Sequence, residues 1–225
     1  MSAVRYKQTA VLTRQFLGLF AVALLAVPAF AAEPANKLTK AEKADGWMLL
    51  FDGKSLDGWE GDPAIWSAKD GMIVGSTDQK SDLQDNTFLI YRREKFSDFH
   101  LIADIKLRNH NTGIQFRSED IGNFVVKGYQ ADAAEGNWWG SLYGEKTGRG
   151  VIENGWKGKG ETVVKADGWN TVEVICQGSH IVIKLNGLTT VDIQDDMASS
   201  GILALQVHRG PKMQVSFRNL KLKKL

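Results

Sequence analysis

Phe99-His100-Leu101-Ile102-Ala103-Asp104-Ile105-Lys106-Leu107 decides the fold. Its odd positions are apolar and most of its even positions are polar. A period of two sets one face on a core and the other toward water or a groove, which is the pattern of a half-buried antiparallel strand. Two further runs repeat it. Val172-Glu173-Val174-Ile175-Cys176 and His180-Ile181-Val182-Ile183-Lys184-Leu185 flank Gln177-Gly178-Ser179, a hairpin with glycine in its turn. The last run, Val215-Ser216-Phe217-Arg218-Asn219-Leu220-Lys221-Leu222, alternates again, and its lysines predict an edge strand.

Outward from these runs the chain stays β-type. Short apolar or alternating stretches are punctuated by Gly, Asn and Asp, and no long helical period interrupts them. The predicted strands are Trp47–Phe51, Trp66–Lys69, Met72–Gly75, Thr87–Tyr91, Phe99–Leu107, Gly113–Arg117 and Gly128–Ala133. They continue with Gly140–Tyr143, Trp169–Gln177, His180–Leu185, Thr189–Ile193, Ile202–Val207 and Met213–Leu222. So many short strands predict two packed antiparallel sheets. Thr39, with Glu42 three residues on, caps a short lead-in helix. Gly136–Gly140 and Gly144–Gly150 read as loops carrying aromatic and charged groups, and Asn154–Lys165 as a long surface loop.

The N-terminus reads as an address. Arg5, Lys7 and Arg14 precede the apolar run Phe16–Val27, and Ala29-Phe30-Ala31 has the small-x-small form of a cleavage site. Residues 1–31 are therefore expected to be a signal peptide, and residues 32–225 a single exported domain, periplasmic or secreted. The 225-residue chain has 28 Lys and Arg against 26 Asp and Glu, net +2, and loss of three basic residues with no acid leaves −1. That balance gives no electrostatic case for nucleic acid or for a membrane surface after cleavage. Cys176 is the only cysteine, which excludes an intramolecular disulfide and a thiolate metal cluster. It is expected to be a small buried strand residue.

Several segments taken in order carry a resemblance. They are Leu49-Leu50-Phe51-Asp52-Gly53-Lys54-Ser55-Leu56-Asp57-Gly58-Trp59, then Phe99-His100-Leu101 through Asn111-Thr112-Gly113-Ile114-Gln115-Phe116-Arg117. Lys127-Gly128-Tyr129-Gln130-Ala131-Asp132, Trp139-Gly140-Ser141-Leu142-Tyr143-Gly144-Glu145, Gly201–His208 and Phe217-Arg218-Asn219-Leu220 complete the set. Together they resemble the 3-keto-disaccharide hydrolase family over nearly all of residues 32–225. The resemblance implies a concanavalin A-like jelly-roll β-sandwich of two curved antiparallel sheets, acting on glycosides oxidised to a ketone at carbon 3. Many relatives carry Tyr-Glu-x-Gln where this chain has Tyr129-Gln130-Ala131-Asp132, so no acid is carried over to position 130.

A 3-keto group acidifies the proton on carbon 2, because the carbanion is an enolate. Cleavage then needs a base, an electrophile for the enolate oxygen and an acid for the leaving oxygen. Asp132, Glu145 and His208 are the candidate catalytic residues. Gln130 and Asp132 share a strand face, as do Tyr143 and Glu145, Gln115 and Arg117, and Gln206 and His208. Gln115, Arg117, Gln130, Tyr143 and Gln206 are thus expected to bind substrate, with Trp138 and Trp139 stacking on a pyranose ring. A divalent cation, calcium or manganese, is a candidate cofactor at Asp132 and Glu145, and no organic cofactor is expected. The expected partners are an oxidised carbohydrate and, in function, the sugar 3-oxidoreductase that makes it. The alternative is a non-catalytic carbohydrate-binding module, since fold alone does not separate enzyme from lectin. The Glu-x-Asp-x-Glu and Glu-x-Asp-x-x-Glu strands of glucanases on this scaffold are absent from the sequence.

Overall fold

The computed structural model describes residues 35–80 and 82–225, so the expected signal peptide lies outside the described residues. A short helix, α1 (Lys40–Ala44), comes first. Thr39 caps it as expected: its Oγ1 accepts from the Glu42 backbone N–H at 3.1 Å, and the Glu42 carboxylate accepts from the Thr39 N–H at 2.8 Å. Among the described residues fifteen strands follow. They are β1 (Met48–Leu49), β2 (Trp59–Glu60), β3 (Trp66–Lys69), β4 (Met72–Ser76), β5 (Thr87–Tyr91), β6 (Phe99–Arg108), β7 (Asn111–Asp120) and β8 (Val126–Ala134). Then come β9 (Asn137–Glu145), β10 (Gly150–Glu153), β11 (Asn170–Gln177), β12 (His180–Leu185), β13 (Leu188–Gln194), β14 (Ile202–Val207) and β15 (Gln214–Lys224).

These strands form two antiparallel sheets. One has the order β13-β12-β11-β6-β15-β4-β3, with β1 also on β15, and the other β10-β9-β8-β7-β14-β5-β2. The fold is the expected jelly-roll sandwich. The alternating runs meet between the sheets. Leu101, Ala103 and Ile105 of β6, Val174 and Cys176 of β11 and Ile181 and Ile183 of β12 face Ile114 and Phe116 of β7 and Leu203 and Leu205 of β14 in one core. Each large apolar side chain buried this fully stabilises the fold by about 1.5–3 kcal/mol. Cys176 is part of this core, and burial pushes its thiol up to about 12.

Three expectations are corrected. The last strand, β15, is not at an edge but lies between β6 and β4. Lys221 and Lys223 face outward and pair with Glu42 and Asp45, Lys224 pairs with Glu94 at the strand's end, and Phe217, Leu220 and Leu222 are buried. Alternation is the same for a lysine on an outer face and a lysine at an edge. Gly136–Gly140 is not a loop: the predicted strand Gly140–Tyr143 extends back to Asn137 and on to Glu145 as β9. Gly140, at φ 79°, packs under Thr190, whose Oγ1 would sit 2.8 Å from a Cβ there. The stretch 154–165 is not an open loop either. Helical turns at Trp156–Gly160 pack onto β9 and lead into α2 (Glu161–Val163), and a Cβ on Gly155 would lie 2.0 Å from the Gly140 carbonyl oxygen.

Candidate functional site

The outward face of the seven-stranded sheet is polar where the inward face is apolar. Gln115 stands opposite Gln130, and Gln130 opposite Tyr143, in register across β7, β8 and β9. Gly113 makes this possible, because a Cβ there would lie 2.5 Å from the Gln130 side chain. Over this face lies a cavity of about 550 Å³. Gln130, Asp132, Trp138, Tyr143, Glu145, Gln206 and His208 all line it, so seven of the residues picked out from the sequence share one pocket.

The amides form a directional chain. Ser118 Oγ donates to Gln115 Oε1 at 2.8 Å, and Gln115 Nε2 donates to Gln130 Oε1 at 2.8 Å. Gln130 Nε2 donates to Asp132 Oδ1 at 2.9 Å and to Gln206 Oε1 at 3.4 Å, and Gln206 Nε2 donates to Glu145 Oε2 at 3.3 Å. Every glutamine oxygen of this hydrogen-bonded chain is used as an acceptor, so the NH₂ groups of Gln130 and Gln206 are left to serve Asp132 and Glu145. Buried polar chains of this kind hold one arrangement when every member is satisfied.

Asp132 is 6 % exposed. Burial pushes its carboxyl up to about 7, with the Glu145 charge adding and the Gln130 and Asn111 hydrogen bonds opposing. Burial also raises Glu145, against hydrogen bonds from Asn86 and Gln206 and the charge of Lys146. Tyr143 is raised by burial and by the two carboxylates. His208 goes the other way. Burial holds its imidazole below the ordinary range, helped by His110 and Arg209, although its hydrogen bond to the Arg209 carbonyl favours the charged form.

Three of the sequence-predicted binding residues lie elsewhere. The expectation that Arg117 faces substrate is corrected. A bulge between Phe116 and Glu119, with Arg117 at φ 46°, turns the guanidinium inward. There it donates to the carbonyls of Ser97 at 2.7 Å and Gly178 at 2.7 Å and to Asp98 at 2.9 Å. Gln115 is fully buried beneath the pocket and acts only through Gln130. Trp139 is a core residue, whereas its neighbour Trp138, at φ 62°, lines the pocket.

Sequence reasoning missed Asp85, Asn86, Asn111, Lys146, Val151 and Arg209, which also line the cavity. Asn111 and Arg209 adjoin segments already singled out; Asp85 and Asn86 sit in a polar connection with no local signal. Among the described residues no three His, Cys, Asp or Glu side chains stand together in a way that could hold a metal. A cation at Asp132 and Glu145 would take its other donors from amide oxygens or water, which suits calcium better than a nitrogen-seeking ion.

A two-sheet jelly roll with a polar, carboxyl-bearing pocket on one sheet face defines the class. The chain belongs to the 3-keto-alpha-glucoside-1,2-lyase-like domain family, whose family model matches residues 46–223. A relative from Bacteroides thetaiotaomicron named 3-keto-disaccharide hydrolase is 31 % identical over 106 residues, 41 % of this chain and 36 % of that protein. The match thus spans about a third of that relative's length. A crystal structure from Parabacteroides distasonis, provisionally described as a glycosyl hydrolase, shares the fold with a TM-score of 0.64 and 22 % identity, covering 85 % of this chain and 100 % of that one. A carbohydrate-binding module of type CBM66 from Bacillus subtilis matches with a TM-score of 0.59 and 19 % identity, over 74 % of this chain and 96 % of its own. At these identities the structures show the fold alone.

Proposed function

We propose that the protein is an exported enzyme that cleaves 3-keto-glycosides by elimination and hydration. The observation that carries this reading is one pocket holding an imidazole kept below its ordinary range and a buried carboxyl pushed up to about 7. Environments that push two titratable groups in opposite directions assign the base and the acid.

His208 takes the proton from carbon 2, and the electron pair moves onto the 3-keto oxygen as an enolate. Arg209 and Lys146 line the same cavity and supply positive charge for that oxygen. The enolate then collapses, the bond from carbon 1 to the leaving oxygen breaks, and protonated Asp132 gives that oxygen its proton. The product is an aglycone alcohol and an unsaturated ketone with a double bond between carbons 1 and 2. In the second half the roles reverse. Asp132, now a carboxylate, takes a proton from water as the hydroxyl adds to carbon 1, and the imidazolium of His208 returns a proton to carbon 2. The sum is hydrolysis, and the sugar leaves still carrying its ketone. Glu145 stays hydrogen-bonded to Asn86 and Gln206 and sets the negative charge that helps keep Asp132 protonated. Trp138 and Tyr143 offer aromatic surface for the apolar faces of the sugar. A divalent cation held by Asp132 and Glu145 would supply further polarisation of the ketone.

The test is nitrophenol release from a nitrophenyl 3-keto-glucoside and from its unoxidised parent, each with added calcium or manganese and with chelator. Turnover of the keto substrate alone supports the reading, and the chelator arm decides the cation. Likeness to the carbohydrate-binding module keeps a second reading. Saturable sugar binding with no turnover under any condition would establish it instead.

A further inference from the structure

We propose that His110 is a positioning residue for His208: it shares the Arg209 carbonyl and fixes His208 in the tautomer that leaves Nε2 unprotonated. The inference rests on the reading of His208 as the base.

The first observation is the turn. Only Asn109 and His110 join β6 to β7, and both have positive φ, 63° and 71°. Two central residues at positive φ make a primed hairpin turn, for which Asn-Gly is the favoured pair. Asn109 is the expected first residue. The second place calls for glycine, yet it holds a side chain that bears a left-handed backbone. Strain kept at one residue points to a task for that residue.

The second observation is the shared acceptor. His208 Nδ1 lies 2.6 Å from the Arg209 carbonyl oxygen, and His110 Nε2 lies 2.9 Å from the same oxygen. A carbonyl oxygen only accepts, so both ring nitrogens donate, and its two lone pairs are used. His208 is then the Nδ1–H tautomer, and Nε2 carries the lone pair a base needs. The rings stand edge to face, with centroids 4.5 Å apart at 77°. The chain closes around the pair, since a Cβ on Gly210, at φ 115°, would lie 3.1 Å from His110 Nε2. Swinging the His208 ring to donate elsewhere would drive its edge into this neighbour.

Charge acts in the same direction. Asp132 of β8, Glu145 of β9 and Asp85 share the pocket with His208 and favour an imidazolium. Tyr143 of β9 is neutral near pH 7. His110, Arg209 and Lys146 oppose the imidazolium, as does burial, and the ring is held neutral.

The experiment replaces His110 with the turn's preferred residue, His110→Gly, in the full chain. A His208→Gln variant assigns the His208 ring among the four histidines. Ring nitrogen and Cε1 NMR shifts are followed against pH in both backgrounds, with kcat, KM and Tm beside them. The expected result is an unchanged or higher Tm, a mixed His208 tautomer, and a His208 titration moved up toward the ordinary imidazole range. The acid limb of kcat moves to higher pH with it, and kcat falls about tenfold with KM nearly constant. His110→Gln, which can still donate to the carbonyl, restores part of the tautomer. An unaltered His208 tautomer and titration in His110→Gly would overturn the proposal, as would a lower Tm with unchanged kcat. Because the NMR readout needs no turnover, it fails or holds independently of the reading of His208 as base, which His208→Gln tests by its own kcat.

Discussion

Asp132→Asn should make the protein more stable at alkaline pH while destroying its activity on substrates with poor leaving groups. The structure sets the magnitude. The Asp132 carboxyl is pushed from 3.8 to about 7, chiefly by burial. Each unit of such a shift is worth about 1.4 kcal/mol, so the ionised carboxylate costs the fold about 4 kcal/mol at pH 8. The sign follows from proton uptake. The folded-state value is raised, so this contribution to stability is fully present below pH 3.8 and lost as pH rises through about 7. Asparagine removes the charge and fits the hydrogen bonds. Its oxygen can accept from Gln130 and Asn111, as Asp132 Oδ1 does. At pH 8, with chelator present, the variant should gain about 2–4 kcal/mol, or roughly 4–16 °C in Tm for a domain of this size. By pH 4.5 the gain should shrink to about 1 kcal/mol. Turnover of an alkyl 3-keto-glycoside should fall about 10²–10⁴-fold, the worth of a general acid. Urea unfolding at both pH values and the initial rate are the assays. A variant less stable than the parent at pH 8, or a stability difference that ignores pH, would refute the reasoning.

Other outcomes follow from the same geometry. Trp138→Ala should raise KM several-fold with little loss of Tm, whereas Trp139→Ala should cost about 3–5 kcal/mol of stability, because only the second ring is in the core. Arg117→Met should destabilise by about 2–3 kcal/mol, since it strips the hydrogen bonds of a buried guanidinium to the Ser97 and Gly178 carbonyls and to partly exposed Asp98. Its folded fraction should keep the parent kcat/KM, and a large rise in KM would instead place the guanidinium on substrate. The pH–rate profile should be a bell. Activity is lost on the acid side as His208 takes a proton below the ordinary imidazole range, and on the alkaline side as Asp132 ionises near about 7.

The fold was legible because burial imposes a period of two on strands such as β6, β11 and β12, while turn residues bound the fully buried apolar runs of β5 and β14. Trp66–Lys69, Thr87–Tyr91, His180–Leu185 and Ile202–Val207 have the bounds the pattern predicts. The pattern is blind to which strand lies at an edge, so the lysines of β15 misled. Glycine is ambiguous in the same way. In β9 it marks close approach of Thr190 and Gly155 rather than a turn. Within the site, same-face pairs held where the strand ran straight: Gln130 with Asp132, and Tyr143 with Glu145. They failed at Arg117, where one bulge reversed the face. Trp138 and Trp139 show the same limit, since two adjacent tryptophans cannot share a face and sequence does not say which is inside. Asp85 and Asn86 were illegible because they reach the pocket from a connection that carries no period at all, and Lys146 was legible only as a charged member of a Gly-rich loop.

The central claim is that carbon 2 loses and regains a proton during cleavage. The most direct measurement is turnover of a 3-keto-glycoside in D₂O, with the position of deuterium in the released sugar read by NMR and compared with an enzyme-free control. The account predicts deuterium at carbon 2, acquired at the rate of aglycone release. Full release of aglycone with carbon 2 still protonated, together with no primary isotope effect on aglycone release from the carbon-2-deuterated substrate, would mean direct displacement at carbon 1 and would contradict it.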